Sequence, residues 1–152
     1  MVLTLRIVSL ACGLLAFFGI RRAYVAYVVL SLLYFPMQVG FQFRVPACQL
    51  AISPELALMS LTNWAHVVLF GIFYVMTMAQ FRSRSASAFA WSALIVIVMG
   101  ALVEIAEGAT ARNCRLRDLV PDAAGAVLGM VVLSALTRLR SYPGNRLAAR
   151  PR

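Results

Sequence analysis

The sequence predicts an all-α, polytopic bundle of transmembrane helices, and three observations carry that prediction. Of 152 residues, 62% are hydrophobic and only 12% are charged. Mean hydropathy is +0.87. The apolar residues fall in blocks near the length that crosses about 30 Å of hydrocarbon. A soluble domain of this size has too much surface for such a composition, and little here prefers water enough to be disordered.

Five spans are expected, at residues 3–20, 23–39, 64–79, 88–105 and 119–136, in one membrane domain. The first block is read as a retained helix. Only Arg6 marks a charged leader, and AFFGIRRAY lacks a small-x-small cleavage site. In the second block Pro36 marks the helix end. In the connection that follows, Ser53-Pro54-Glu55 reads as a helix start: an N-cap, a proline at the first helical position and an acid in the first turn. The apolar stretch after it is too short to span and lies at the interface or dips in. The tail after residue 136 is basic and rich in helix breakers.

Orientation rests on arginine, since lysine is absent. With the N-terminus outside and the C-terminus cytoplasmic, the inner segments hold nine arginines: 21, 22, 82, 84, 138, 140, 146, 150 and 152. The outer ones hold five: 6, 44, 112, 115 and 117. The positive-inside rule favours that arrangement. The net charge of +9 is then mostly inner charge facing anionic lipid headgroups. No basic, aromatic-interleaved soluble module supports nucleic-acid binding.

Acidity is the rarest property. Of five acidic residues, four lie between positions 104 and 122: Glu104, Glu107, Asp118 and Asp122. A carboxylate at the edge of a hydrocarbon-soluble helix must be paired, wet or protonated. Five spans bring these groups to one membrane depth, with His66 at the start of the third. Glu104 and Glu107 share a helix face. Asp118, Asp122, Gly125 and Gly129 form one stripe, acidic at the end and glycine deeper in. Gly125-x-x-x-Gly129 permits close helix packing, which turns Asp122 toward protein.

His66, Glu104, Glu107, Asp118 and Asp122 are therefore the candidate catalytic set. An imidazole is the natural proton carrier near neutral pH, and His66 with Glu104 and Glu107 suits acid–base work. The same groups suit a divalent cation, Mg²⁺, Mn²⁺ or Zn²⁺, with no spacing that selects among them. Arg112, Arg115 and Arg117 have two readings: compensation of the nearby acids, or bidentate recognition of a phosphate in a substrate. Cys12 reads as an apolar filler. Cys48 and Cys114 both fall in outer loops, where a disulfide would persist and clamp one loop over the other.

The stretches NWAHVVLFGIFYVM and LVEIAEGATARNCRLRDLVPDAAGAVLG resemble the VanZ-like integral membrane proteins, over residues 60–133. That family carries an Asp-Lys-x-x-His-like opening on one helix, then Glu-x-x-Gln at a helix end and an arginine-containing loop. Asp-x-x-x-Asn-x-x-Gly-x-x-x-Gly follows. His66, Glu104, Asp118, Gly125 and Gly129 match, and Arg112 or Arg115 falls in the arginine's place. Glu107 and Asp122 stand where amides are usual, and Asn63-Trp64 replaces the opening Asp-Lys. The resemblance implies a multi-pass protein of a bacterial inner membrane with an envelope function, since the family's name comes from a member associated with teicoplanin resistance. It attaches no reaction.

Three functions are weighed. The first is binding or modification of a lipid-linked or phosphate-bearing envelope substrate, with membrane lipids as surroundings. The second is a small transporter or channel subunit, for which five helices are few unless the protein forms a homo-oligomer. The third is a non-catalytic scaffold in which the charges merely close on one another.

Overall fold

The computed structural model describes residues 2–37, 48, 49, 51, 53–109 and 114–141. Their elements are α1 (Val2–Phe17), α2 (Arg21–Met37), β1 (Cys48–Gln49), α3 (Pro54–Ser60), α4 (Trp64–Met78), α5 (Ala86–Gly108), β2 (Cys114–Arg115), a 3-10 turn (Leu116–Asp118) and α6 (Leu119–Ser141).

The expectation of five spans is corrected. Among the described residues only two helices are long and apolar enough to cross a membrane, Ala86–Gly108 and Leu116–Leu139. A third exists only if α3 and α4 count as one span, and they meet at a bend of 73°. The physical reason is helix length. At 1.5 Å per residue, α1, α2 and α4 are roughly 24, 26 and 22 Å long, short of the ~30 Å hydrocarbon core. The first block stops at Phe17 because Gly19 takes a left-handed φ of 76°, and Phe18 and Gly19 donate back to Leu15 and Ala16. Two arginines open α2 and shorten its apolar run further. The orientation built on five crossings goes with them.

What stands is a small, mostly helical, membrane-associated protein. Much of the α5–α6 surface is apolar and exposed, including Leu94, Ile97 and Leu102 on α5 and Val127, Val131 and Leu136 on α6. A contiguous apolar surface on that scale suits hydrocarbon rather than water.

Local signals explain the helix starts. Ser53 Oγ accepts from the Leu56 N–H at 3.2 Å, with Pro54 first in the helix and Glu55 in its first turn. Ser85 Oγ accepts from the Ala88 N–H at 3.3 Å and caps α5 in the same way.

α4 is the hub. One face packs on α6 through glycine: a Cβ on Gly125 would stand 2.5 Å from the Val67 carbonyl oxygen and 2.9 Å from the Gly71 nitrogen. Gly129 meets the Gly71 oxygen in the same way at 2.8 Å. Small residues let two backbones approach where water supplies no drive for association. Phe73, Tyr74 and Met76 fill the core against Val96 and Met99 of α5. At the far end, Gln80 Nε2 donates to the Ala16 carbonyl at 2.7 Å and ties the ends of α1 and α4 together.

At the other end, β1 and β2 pair in parallel, Cys48 opposite Cys114, and a disulfide joins the two cysteines. The bridge lies over Gly108, where an added Cβ would come 2.8 Å from Cys114 Cβ. With its ends 66 positions apart in sequence, chain-entropy reasoning gives it about 4 kcal/mol of stabilisation. Cys12 is a free thiol.

Candidate functional site

The buried polar groups meet beneath this disulfide. Asp122 lies in the first turn of α6, where a carboxylate complements the helix dipole. The glycine contacts below it press α6 against α4, so Asp122 points at α4 and not into lipid. His66, in the first turn of α4, puts Nδ1 2.8 Å from Asp122 Oδ1. The Asp122 side chain is 2% exposed and the His66 side chain 29%. One imidazole nitrogen is thus committed to a buried carboxylate while the ring keeps an accessible edge.

Two further contacts hold the pair. Phe70, one turn below, lies parallel to the imidazole with centroids 6.1 Å apart. Gly100 of α5 forms a notch for the other carboxylate oxygen, since a Cβ there would stand 2.6 Å from Asp122 Oδ2. Gly100→Ala is therefore expected to push the carboxylate off His66 while leaving the helices in place, because the nearest obstacle is a side-chain end and not backbone. Loss of the His66–Asp122 hydrogen bond, read from the imidazole nitrogen shifts by NMR, with the thermal midpoint within a few degrees of wild type, is the expected result.

Glu104 is 3% exposed and lies one turn along α5 from Gly100. Its Oε2 accepts from the Arg115 backbone N–H at 2.8 Å, which fixes β2 across the end of α5. The Arg115 guanidinium follows: its Nε is buried and makes no hydrogen bond. A buried donor left unmatched is unusual in a native fold. Glu107 is half-buried one turn beyond Glu104. Asp118 pairs loosely with Arg117 at 3.9 Å, both partly exposed. Glu104 and Asp118 are both close enough to act on His66 electrostatically.

The carboxylate bonded to His66 is thus Asp122, not Glu104 or Glu107 as the sequence suggested. Arg112 lies outside the described residues. Gly125 and Gly129 line the α4–α6 contact. Among the described residues no group of three or more His, Cys, Asp or Glu side chains is placed to hold a metal ion. Three participants escape a reading of charges alone: Phe70, Gly71 and Gly100. Gly100 was within reach, because it precedes Glu104 by one helical turn and so shares its face.

In chemical terms the site has a histidine held by an acid. An ionised Asp122 accepts from Nδ1–H, which leaves Nε2 carrying the lone pair at the exposed edge. That nitrogen can accept a proton or bind an acidic group. Compared with protein-family models, curated proteins and solved structures, the chain matches none.

Proposed function

We propose that this protein binds, and through His66 acts on, the phosphate-bearing head of a lipid-linked cell-envelope substrate at the outer face of a bacterial inner membrane, as a VanZ-like protein. The observation that carries the reading is the His66–Asp122 pair; the unmatched Nε of Arg115, a residue whose backbone Glu104 holds across the end of α5, adds to it. A phosphate supplies what both lack: acceptor oxygens for a guanidinium and a proton or hydroxyl for an oriented imidazole. Arg117, partly exposed in the adjoining 3-10 turn, adds positive charge.

Compartment is argued from the disulfide. Such a bond persists on the oxidising side of a bacterial inner membrane, and this one lies over Gly108, one helical turn beyond Glu104. Arg82 and Arg84 precede α5 and Arg138 lies near the end of α6, so these charges gather at the opposite end of the α5–α6 hairpin. Family resemblance supports the reading through His66, Glu104, Asp118, Gly125 and Gly129, and the acids at Glu107 and Asp122 are this chain's departures.

The test is binding of an alkyl phosphate to the purified protein in phosphatidylcholine nanodiscs. His66→Ala and Arg115→Ala are each expected to weaken binding by roughly tenfold or more, the worth of a hydrogen bond to a charged group. Arg115→Ala keeps the backbone N–H that Glu104 uses, so the fold should survive it. Wild-type affinity in both variants would exclude this site.

A further inference from the structure

Below the polar site a cleft opens between α1, α2, α4 and α5, with a volume of about 350 Å³. That is within the ~300–1,000 Å³ range of ligand sites. Its floor is a run of aromatic rings. Phe70 meets Phe73 edge-on at 6.5 Å, Phe73 lies 6.3 Å from Tyr27, and Tyr27 rests against Gly13. Each ring is held by the next, so the cleft is formed before anything enters it. Leu69 and Met99 close its sides.

The cleft is not simply a seam between lipid-facing helices. Arg6, Ser9 and Ser31 line it as well. Arg6 can be placed by counting. Gln80 is bonded to Ala16, and α1 and α4 run the same way from that bond. Ten residues back along each helix, Arg6 stands level with Phe70. His66 is one turn higher. His66, Phe70 and Phe73 follow i, i+4, i+7 on α4, a single stripe. On α5, Val103 lines the cleft and Glu104 beside it belongs to the polar site. A charged head, a cation at the neck and an apolar trough therefore succeed one another down one face of α4.

We propose that this cleft holds the single hydrocarbon chain of an anionic amphiphile whose head lies at His66 and whose neck passes Arg6. The head placement rests on the function proposed above; the chain site does not. Charge selects the occupant. Arg6, exposed on α1 and lining the cleft, complements a phosphate and gains nothing from a neutral head.

The experiment uses dodecyl phosphate carrying a diazirine near the chain end, with the full-length protein in phosphatidylcholine nanodiscs. Light should place adducts on the Leu69–Phe73 segment and on Met99, and excess untagged dodecyl phosphate should suppress them. Met99→Trp and Leu69→Trp, which fill the trough from two sides, should each lower capture roughly tenfold. Arg6→Gln should lower capture of the phosphate probe by a similar factor and leave the matching dodecanol probe unchanged. Competition by farnesyl phosphate against dodecyl phosphate separates an isoprenoid chain from a straight one, and competition by either supports the site. Adducts spread evenly over Leu94, Val131 and other lipid-facing residues, or capture unchanged in both tryptophan variants, would overturn the proposal. His66→Ala separates the two readings. If its dodecanol adducts stay on Met99 while alkyl phosphate affinity matches wild type, the chain site stands and the head site fails.

Discussion

Gly125→Leu is expected to leave no folded protein, and Gly125→Ala to lower stability by more than any other single methyl added to the described helices. A Cβ at this position would stand 2.5 Å from the Val67 oxygen, 2.9 Å from the Gly71 nitrogen and 3.0 Å from Phe70 Cβ. Two of these atoms are backbone in the middle of α4. They cannot rotate aside, so α6 must move away from α4 as a body. Overpacking in a close-packed interior typically costs about 1–3 kcal/mol, and separation of two helices held by glycine contact places Gly125→Ala at the upper end of that range. Gly13→Ala is the matched control. Its added methyl meets only the Tyr27 ring, at 3.2 Å, and a ring can shift. Unfolding by a denaturing detergent titrated into mixed micelles would rank the variants. Equal midpoints for Gly125→Ala and Gly13→Ala would mean that the α4–α6 contact is looser than described.

The same contact shows what the sequence could and could not disclose. The four crowded acids, the Ser53-Pro54-Glu55 helix start and the glycine stripe of α6 are local patterns, and local patterns are legible. The partner of His66 was not. Glu104, Glu107 and Asp122 all arrive at the end of a helix, and depth alone does not choose among them. The choice is angular: glycine contact sets how α6 is turned against α4, and that rotation brings Asp122 to the imidazole. Gly71 on the facing helix has no motif of its own in the sequence. It becomes significant only when Gly125 is placed against it. Span count failed for a related reason. Hydropathy reports apolar runs, but helices end at backbone events: the left-handed Gly19, the bend between α3 and α4. Each event shortens a helix without altering how apolar the run looks.

The second large effect concerns the buried pair itself, and a double-mutant cycle separates its structural and functional roles. His66→Ala leaves the Asp122 carboxylate buried in its notch beside Gly100 with its hydrogen bond lost. Breaking a buried charged pair from one side is strongly destabilising, about 3 kcal/mol or more. Asp122→Asn keeps the shape and removes the charge, so its own effect on stability should be smaller, near the ~1–3 kcal/mol of an imperfectly satisfied polar group. In the double variant no buried charge remains. Its stability is expected to recover to at least that of His66→Ala alone, which makes the coupling energy between the two sites large and opposite in sign to simple additivity. Binding of alkyl phosphate should behave otherwise. Asp122→Asn removes the group that sets the imidazole's tautomer, and losses of about 10–100-fold are usual when such a supporting carboxylate is changed. His66→Ala removes the imidazole, and the double variant should bind no better than His66→Ala, since residues acting as one unit are not additive in function. Stability that recovers while binding stays lost would assign the pair to ligand recognition. Binding that recovers together with stability would make it only a fastening between α4 and α6.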